Sequence, residues 1–193
     1  MNHDNYSDGY IRSILNTVKT IAVVGVSPKT SRPSFFVFKY LLERSYRMIP
    51  VNPGQAGGEL LGQKVYAALS DIPESVDMVD VFRNSDAALG VVQEALALAP
   101  KPRVIWMQLG VRNDAAAALA EAAGILVVMN RCPKIEYGRL SSEISWMGVN
   151  SRTLSSKRTP LPGTGKQRLS LQRQSQTGGA TVATLRAQKD NAE

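Results

Sequence analysis

Residues 25–34 read Gly-Val-Ser-Pro-Lys-Thr-Ser-Arg-Pro-Ser, a run suited to holding a phosphate or pyrophosphate. Gly25 closes an apolar stretch and lets the backbone turn tightly. Pro33 fits the first turn of a helix, so Arg32-Pro33-Ser34 predicts a helix entrance with free N–H groups and a positive dipole end. Lys29 and Arg32 add charge. The plain alternative is a loop with two solvated bases. A dinucleotide site of the NAD type would need G-x-G-x-x-G and an acid about 20 residues further on. This loop holds one glycine, and the next apolar run ends in Asn52. Both departures count against NAD, and without a carboxylate there is nothing to repel a phosphate on an adenosine ribose.

Other reactive residue types are few. Cys132 is the single cysteine, which excludes an internal disulfide and fits a reducing compartment. Three roles are open to it: packing or site lining, a reversible mixed disulfide with a ligand thiol, and nucleophilic attack. The last needs an activating base, and His3, the only histidine, sits in a polar N-terminus where it is expected to be solvated. Arg131 beside the cysteine would favour its thiolate. Asp77, Asp80 and Asp86 do not show the clustering that a metal needs, and a strand would place Asp77 and Asp80 on opposite faces. No metal and no catalytic centre are expected. Trp106 lies in an apolar run and is expected in the core. Trp146 suits docking on the body or a dimer contact.

These residues need a frame, and the pattern between them supplies one. Apolar, β-branched runs at 20–26, 47–52, 77–82, 103–108 and 125–129 read as strands. Residues 34–44, 86–98 and 113–123 read as helices, with a leading helix at 10–18 and a trailing one at 140–147. Strands apolar on both faces that alternate with helices predict an α/β fold. It is a doubly wound, Rossmann-like parallel sheet of about five strands with helices on both faces, in the order 3-2-1-4-5. Ligands of such sheets bind beyond the carboxyl ends of the strands.

The 193 residues, 44% hydrophobic and 20% charged, suit one globular domain with an appendage. Residues 1–150 form the predicted domain. From 151 to 193 the chain turns rich in Ser, Gln, Arg, Gly and Pro, and is expected to be a largely disordered basic tail. That tail holds eight of the 23 Lys and Arg but two of the 16 acids, so most of the net charge of +7 belongs to it. Its bases are spread thinly without aromatic residues for stacking, which argues against nucleic acid. No run of 18 apolar residues predicts a membrane span, and Met1 to Gly9 lacks the pattern of a secretory signal. A cytoplasmic protein is expected.

The runs GVSPKTSRPS, PVNPG, DMVDVFRNSD, VIWMQLGVRNDAAAALAEAAG and VVMNRCPKIEYGRL, in this order, resemble the small bacterial and archaeal coenzyme A-binding proteins. They are similar, more distantly, to the CoA-binding domain of the succinyl-CoA synthetase α-subunit. The resemblance covers residues 10–150 and implies that CoA or an acyl-CoA is the ligand. It implies that Ser27, Arg32 and Ser34 hold phosphates and that Asn52 and Pro53 flank the adenosine. Phe82, Arg83, Gln108 and Gly110 would line the pyrophosphate and pantetheine path, and Cys132-Pro133 matches a Cys-Pro of the synthetase domain. With Gly25, Lys29 and Pro33 from the loop itself, these form the expected site. The synthetase has a glycine-rich first loop and a Lys where Gln55 stands here. Its reaction also needs a phosphohistidine domain, for which this chain offers no second fold. A non-catalytic CoA carrier, sensor or protective protein is therefore expected, with a homodimer or an unidentified protein partner left open. The alternatives are an NADP-dependent redox protein with Arg32 on the 2′-phosphate, and an interaction protein that works through its basic tail. If residues 1–150 are the whole binding unit, truncation after Asn150 should leave the melting temperature and the CoA affinity unchanged. A fall in either would show that the tail takes part.

Overall fold

In the computed structural model, residues 1–141 are described. The expected tail, Trp146 and the trailing helix beyond Ser141 lie outside them. Strand β1 (Thr20–Val24) is an interior strand of a five-stranded parallel sheet with β2 (Arg47–Val51), β5 (Met78–Val81), β6 (Val104–Met107) and β7 (Leu126–Val128). Side chains alternate across a strand, so Ile21 and Val23 enter one core layer and Ala22 and Val24 the other. The first layer is covered by α1 (Asp8–Thr17), α2 (Pro33–Glu43) and α5 (Pro133–Leu140). The second is covered by α3 (Ser85–Leu96) and α4 (Asp114–Ala122), whose alanines bring helix and sheet close. Trp106 is fully buried, as its apolar strand predicts, and its Nε1 donates to the Arg131 carbonyl at 2.8 Å.

The strand order differs from the expected one. The third long strand, β5, pairs with β1 (Ile21 opposite Met78, Val24 opposite Val81) and not outside β2. The sheet therefore runs β2-β1-β5-β6-β7. Pro50 explains this: it has no N–H for a second ladder, so β2 belongs at an edge. The outer side of β2 is met instead by Tyr66, whose N–H donates to the Pro50 carbonyl at 3.0 Å. Residues 52–77 form no helix. They hold two 3-10 turns and a hairpin of β3 (Glu59–Leu60) and β4 (Gln63–Lys64), too short to register in the hydrophobic pattern.

His3 is also placed differently from its expected solvated position. It is buried, with Nδ1 2.9 Å from the Tyr6 hydroxyl and Nε2 3.4 Å from Glu121. The N-terminal segment is pinned by polar contacts: Tyr6 accepts the Met129 N–H at 2.8 Å, and Arg112 pairs with Asp4 at 2.6 Å. No apolar pattern announces such a clasp.

Chain direction across the sheet reverses at β1, with β2 on one side and β5 on the other. Gly25 makes the turn there. Its N–H donates to the Val51 carbonyl at 2.8 Å, and its φ of +88° is the left-handed conformation that glycine tolerates. A Cβ at this position would lie 2.6 Å from the Phe82 carbonyl oxygen and 2.8 Å from Arg83 Cδ. Gly25→Ala should therefore cost about 2 kcal/mol or more in thermal or urea unfolding. An unchanged melting temperature would mean that the β1 and β5 ends part without cost.

Candidate functional site

The loops after β1, β5, β6 and β7 enclose a cavity of about 850 Å³ at the carboxyl edge of the sheet, a size typical of small-molecule sites. It lies where the strand order reverses, the position at which open α/β sheets bind ligands. Gly25, Ser27, Arg32, Pro33 and Ser34 line it from the first loop, Phe82 and Arg83 from the second, and Gln108 and Cys132 from the last two. The sequence reading thus named residues that the fold brings together.

Four other expected residues do not line this cavity. Lys29 is exposed, and its backbone N–H donates to Ser27 Oγ at 3.2 Å. Asn52 shapes the site from behind: Nδ2 donates to the Val26 carbonyl at 2.7 Å and Oδ1 accepts the Gly54 N–H at 3.0 Å. That ties the loop after β2 to the loop after β1. Pro53 lines a smaller depression that shares Gly25 and Arg83 with the cavity, together with Ala67, Gly90 and Glu94. Gly110 donates its N–H to Asn130 Oδ1 at 2.8 Å and so joins the β6 and β7 loops. The serine hydroxyls also have local work, since Ser34 Oγ accepts the Ser27 N–H at 3.0 Å.

The sequence reading missed Phe36 and Val37 of α2, Leu109 and Val111 of the β6 loop, and Lys134 and Ile135 of α5, all lining the cavity. Phe36 and Leu109 are half exposed, an apolar rim. Lys134 lies in α5, which starts at Pro133, ahead of the trailing helix expected at 140–147. Pro133 opens α5 just as Pro33 opens α2.

Electrostatics favour an anion at this wall. Helices α1, α3 and α4 begin with Ser7, Asn84 and Asn113, each accepting a backbone N–H of the first turn. Helices α2 and α5 begin at Arg32 and Cys132 with no such side-chain bond, and both begin at the cavity. Their positive dipole ends converge there. Arg32, Arg83 and Lys134 add charge, and no carboxylate is among the lining residues. Arg32 and Arg83 form no ion pair among the described residues, while Lys134 Nζ lies 5.4 Å from the centre of the Tyr40 ring.

Behind the wall sits a polar pair inside the core. Asp80 is fully buried in β5, and its two oxygens accept from Gln108 Nε2 at 2.8 and 3.0 Å. Burial pushes its carboxyl up to about 8, against the opposing effect of the Gln108 bond. Asp77, just before β5, instead accepts from the Lys19 and Thr20 N–H groups and pairs with Arg103. Cys132 is buried, and burial is the main reason that its thiol is pushed up. The Ile135 N–H pulls the other way and the nearby Asp80 adds to the rise. Arg131 does not activate the thiol as expected. Its guanidinium turns away, 5.6 Å from the centre of the Tyr6 ring, and bonds the Asn130 and Asp4 carbonyls.

Residues 19–138 match the family described as CoA binding domain. This chain belongs to the CoA binding domain family. The uncharacterized protein YneT of Bacillus subtilis (strain 168) is 38% identical over 134 residues, which span 69% of this chain and 96% of that protein. The structure of cell-free ID.343 from Thermus thermophilus is 41% identical with a TM-score of 0.66, over 70% of this chain and 99% of that one. The dinucleotide-forming acetyl-coenzyme A synthetase 1 of Ca. Korarchaeum cryptofilum is 25% identical with a TM-score of 0.50. That likeness covers 58% of this chain but 26% of the synthetase, so one domain is shared. Among the described residues, no helix is long and apolar enough to cross a membrane.

Asp80 gives this family member a pH signature. An acid whose native pKa lies above its unfolded value of 3.8 keeps its proton in the fold. Folding stability then falls as pH rises from about 4 towards about 8, and the acid's favourable share is complete only below that window. Asp80→Asn should remove this slope. In urea unfolding the variant should gain on the wild type by more than about 1 kcal/mol between pH 5 and pH 8. Parallel stability curves would place Asp80 in water.

Proposed function

We propose that this protein binds coenzyme A or an acyl-CoA reversibly, as a carrier, sensor or protective protein, without carrying out a reaction on it. The observation that supports this most is the one cavity that joins the uncapped α2 entrance, with Arg32 and Arg83, to an apolar rim and a buried thiol. Phosphates suit the α2 entrance, with Arg32 and Arg83 beside them. An uncharged arm suits the stretch past Phe82 and Leu109, and a thiol or thioester suits the end near Gln108 and Cys132. Adenosine suits the adjoining depression at Pro53 and Gly90, which shares Gly25 with the cavity. The pyrophosphate meets no acid among the residues lining the cavity, and at the depression Arg83 stands against Glu94, whose carboxylate is engaged by the Leu69 N–H.

Cys132 fits the role of lining better than that of a redox partner. Its raised pKa keeps it protonated at neutral pH, and thiolate is the form that attacks disulfides. Catalysis through it would need a base, and the lone histidine is held at Glu121 and Tyr6. CoA in its bound state would supply a thiol. The chain's residues would hold its phosphates, orient its arm and exclude water from its end.

Calorimetry with CoA, NADP and NAD tests this reading. CoA should bind most tightly, and stronger binding of NADP would overturn it. Arg32→Ala should weaken CoA binding about tenfold or more, since a charge-assisted bond to phosphate contributes roughly 1.5–3 kcal/mol. Its melting temperature should hold, because Arg32 is exposed.

A further inference from the structure

Gln108 is 5% exposed, lines the cavity and presents its amide with one polarity. Nε2 points inward to Asp80. The Asp80 carboxylate can only accept, and does so through both oxygens; the neutral acid accepts Nε2 through its carbonyl oxygen, and its O–H is the one group here able to hold the amide turned round. Oε1 is the end left over. It accepts no hydrogen bond among the described residues, and it is not sealed away, since His3 Nε2 is the one fully buried side-chain N or O atom without a partner there. An acceptor on so buried a side chain is costly to leave unmet once a ligand has expelled water.

The ligand's last donor can reach it. β1 and β6 are separated by β5 alone, so their ends are roughly 10 Å apart. An arm that started with its phosphates at Arg32 and Ser34 would be long enough to bring its sulfur to Gln108 and Cys132. In free CoA that sulfur bears a hydrogen, a weak donor. In a thioester the hydrogen is gone and a carbonyl oxygen stands beside the sulfur, so acceptor faces acceptor.

Resting on the CoA reading, we infer that Gln108, held by Asp80, makes this cavity selective for the free thiol of CoA over its acyl thioesters. Gln108 Oε1 takes the S–H hydrogen, and Asp80 is a positioning residue that keeps the amide nitrogen away from the ligand. No bond is made or broken. The protein then samples the unacylated pool.

Calorimetry under reductant with CoA, acetyl-CoA and the S-ethyl thioether of CoA tests this. The thioether has nearly the bulk of an acetyl group but neither the S–H nor the carbonyl. Wild type should bind CoA about tenfold more tightly than acetyl-CoA, which is 1.4 kcal/mol, with the thioether between them. Gln108→Leu, of similar size, should bring all three within about twofold, and the ratio is a readout that general loosening of the fold would not move. Asp80→Ala, which removes the acceptor that holds Nε2, should narrow the gap while the protein still melts cooperatively. Equal affinities for CoA and acetyl-CoA in the wild type would overturn the inference and leave the CoA reading standing. So would a gap that survives in Gln108→Leu, because bulk would then be the cause. Failure of all three ligands to bind, with NADP bound instead, would overturn the CoA reading itself.

Discussion

Among the described residues two α-helices start without a side-chain cap, and both start at the same edge of the same sheet. Neither has the Ser or Asn cap of the others, and α2 also has no acid in its first turn to offset its positive dipole end. The arrangement has a physical purpose if an anion completes it. Much of the remaining structure serves to keep those entrances open and close together. Gly25 turns β1 into the first loop without a side chain. Asn52 ties that loop to β2, and Gly110 ties the β6 loop to the β7 loop. The parallel pairing of β1 with β5 sets the loop of Phe82 and Arg83 beside the first loop, at the strand reversal.

Buried polarity continues the same logic. A carboxyl inside an apolar sheet destabilises the fold unless it is neutral or well bonded. Asp80 has Gln108 as its partner, and the two form a hydrogen-bonded unit directly behind the cavity wall. A hydrophobic pair of similar volume would pack the core at least as well. What it would lose is a fixed amide at the end of the cavity.

Much of this was legible in the residues. The strands and the three central helices follow from apolar periodicity, and Pro33 and Gly25 marked the first loop as a phosphate cradle. Strand order was also written in the chain, in Pro50, whose missing N–H argues for an edge, but a generic doubly wound order was assumed instead. Helix α5 was announced by Pro133 in the same manner as α2. The hairpin of β3 and β4 and the burial of His3 were not legible, because two-residue strands leave no period and a polar clasp has no apolar pattern. Asp80 was weighed as a metal ligand and set aside. Its pairing with Gln108 depends on two neighbouring strands being in register, which local sequence cannot reveal. Asn52 shows the converse: the residue type suited a ligand contact, and the fold uses it to hold a loop.

The central claim is that one ligand lies across the strand ends from the α2 entrance to Gln108. Amide chemical-shift mapping during a CoA titration tests it most directly. The account predicts large changes at Ser27, Ser34, Arg83, Gln108 and Lys134, saturating together with one affinity, and little change in α1 or along the β3–β4 hairpin turn. Changes confined to residues away from the β1, β5, β6 and β7 loops, or two groups of residues saturating at different concentrations, would contradict it.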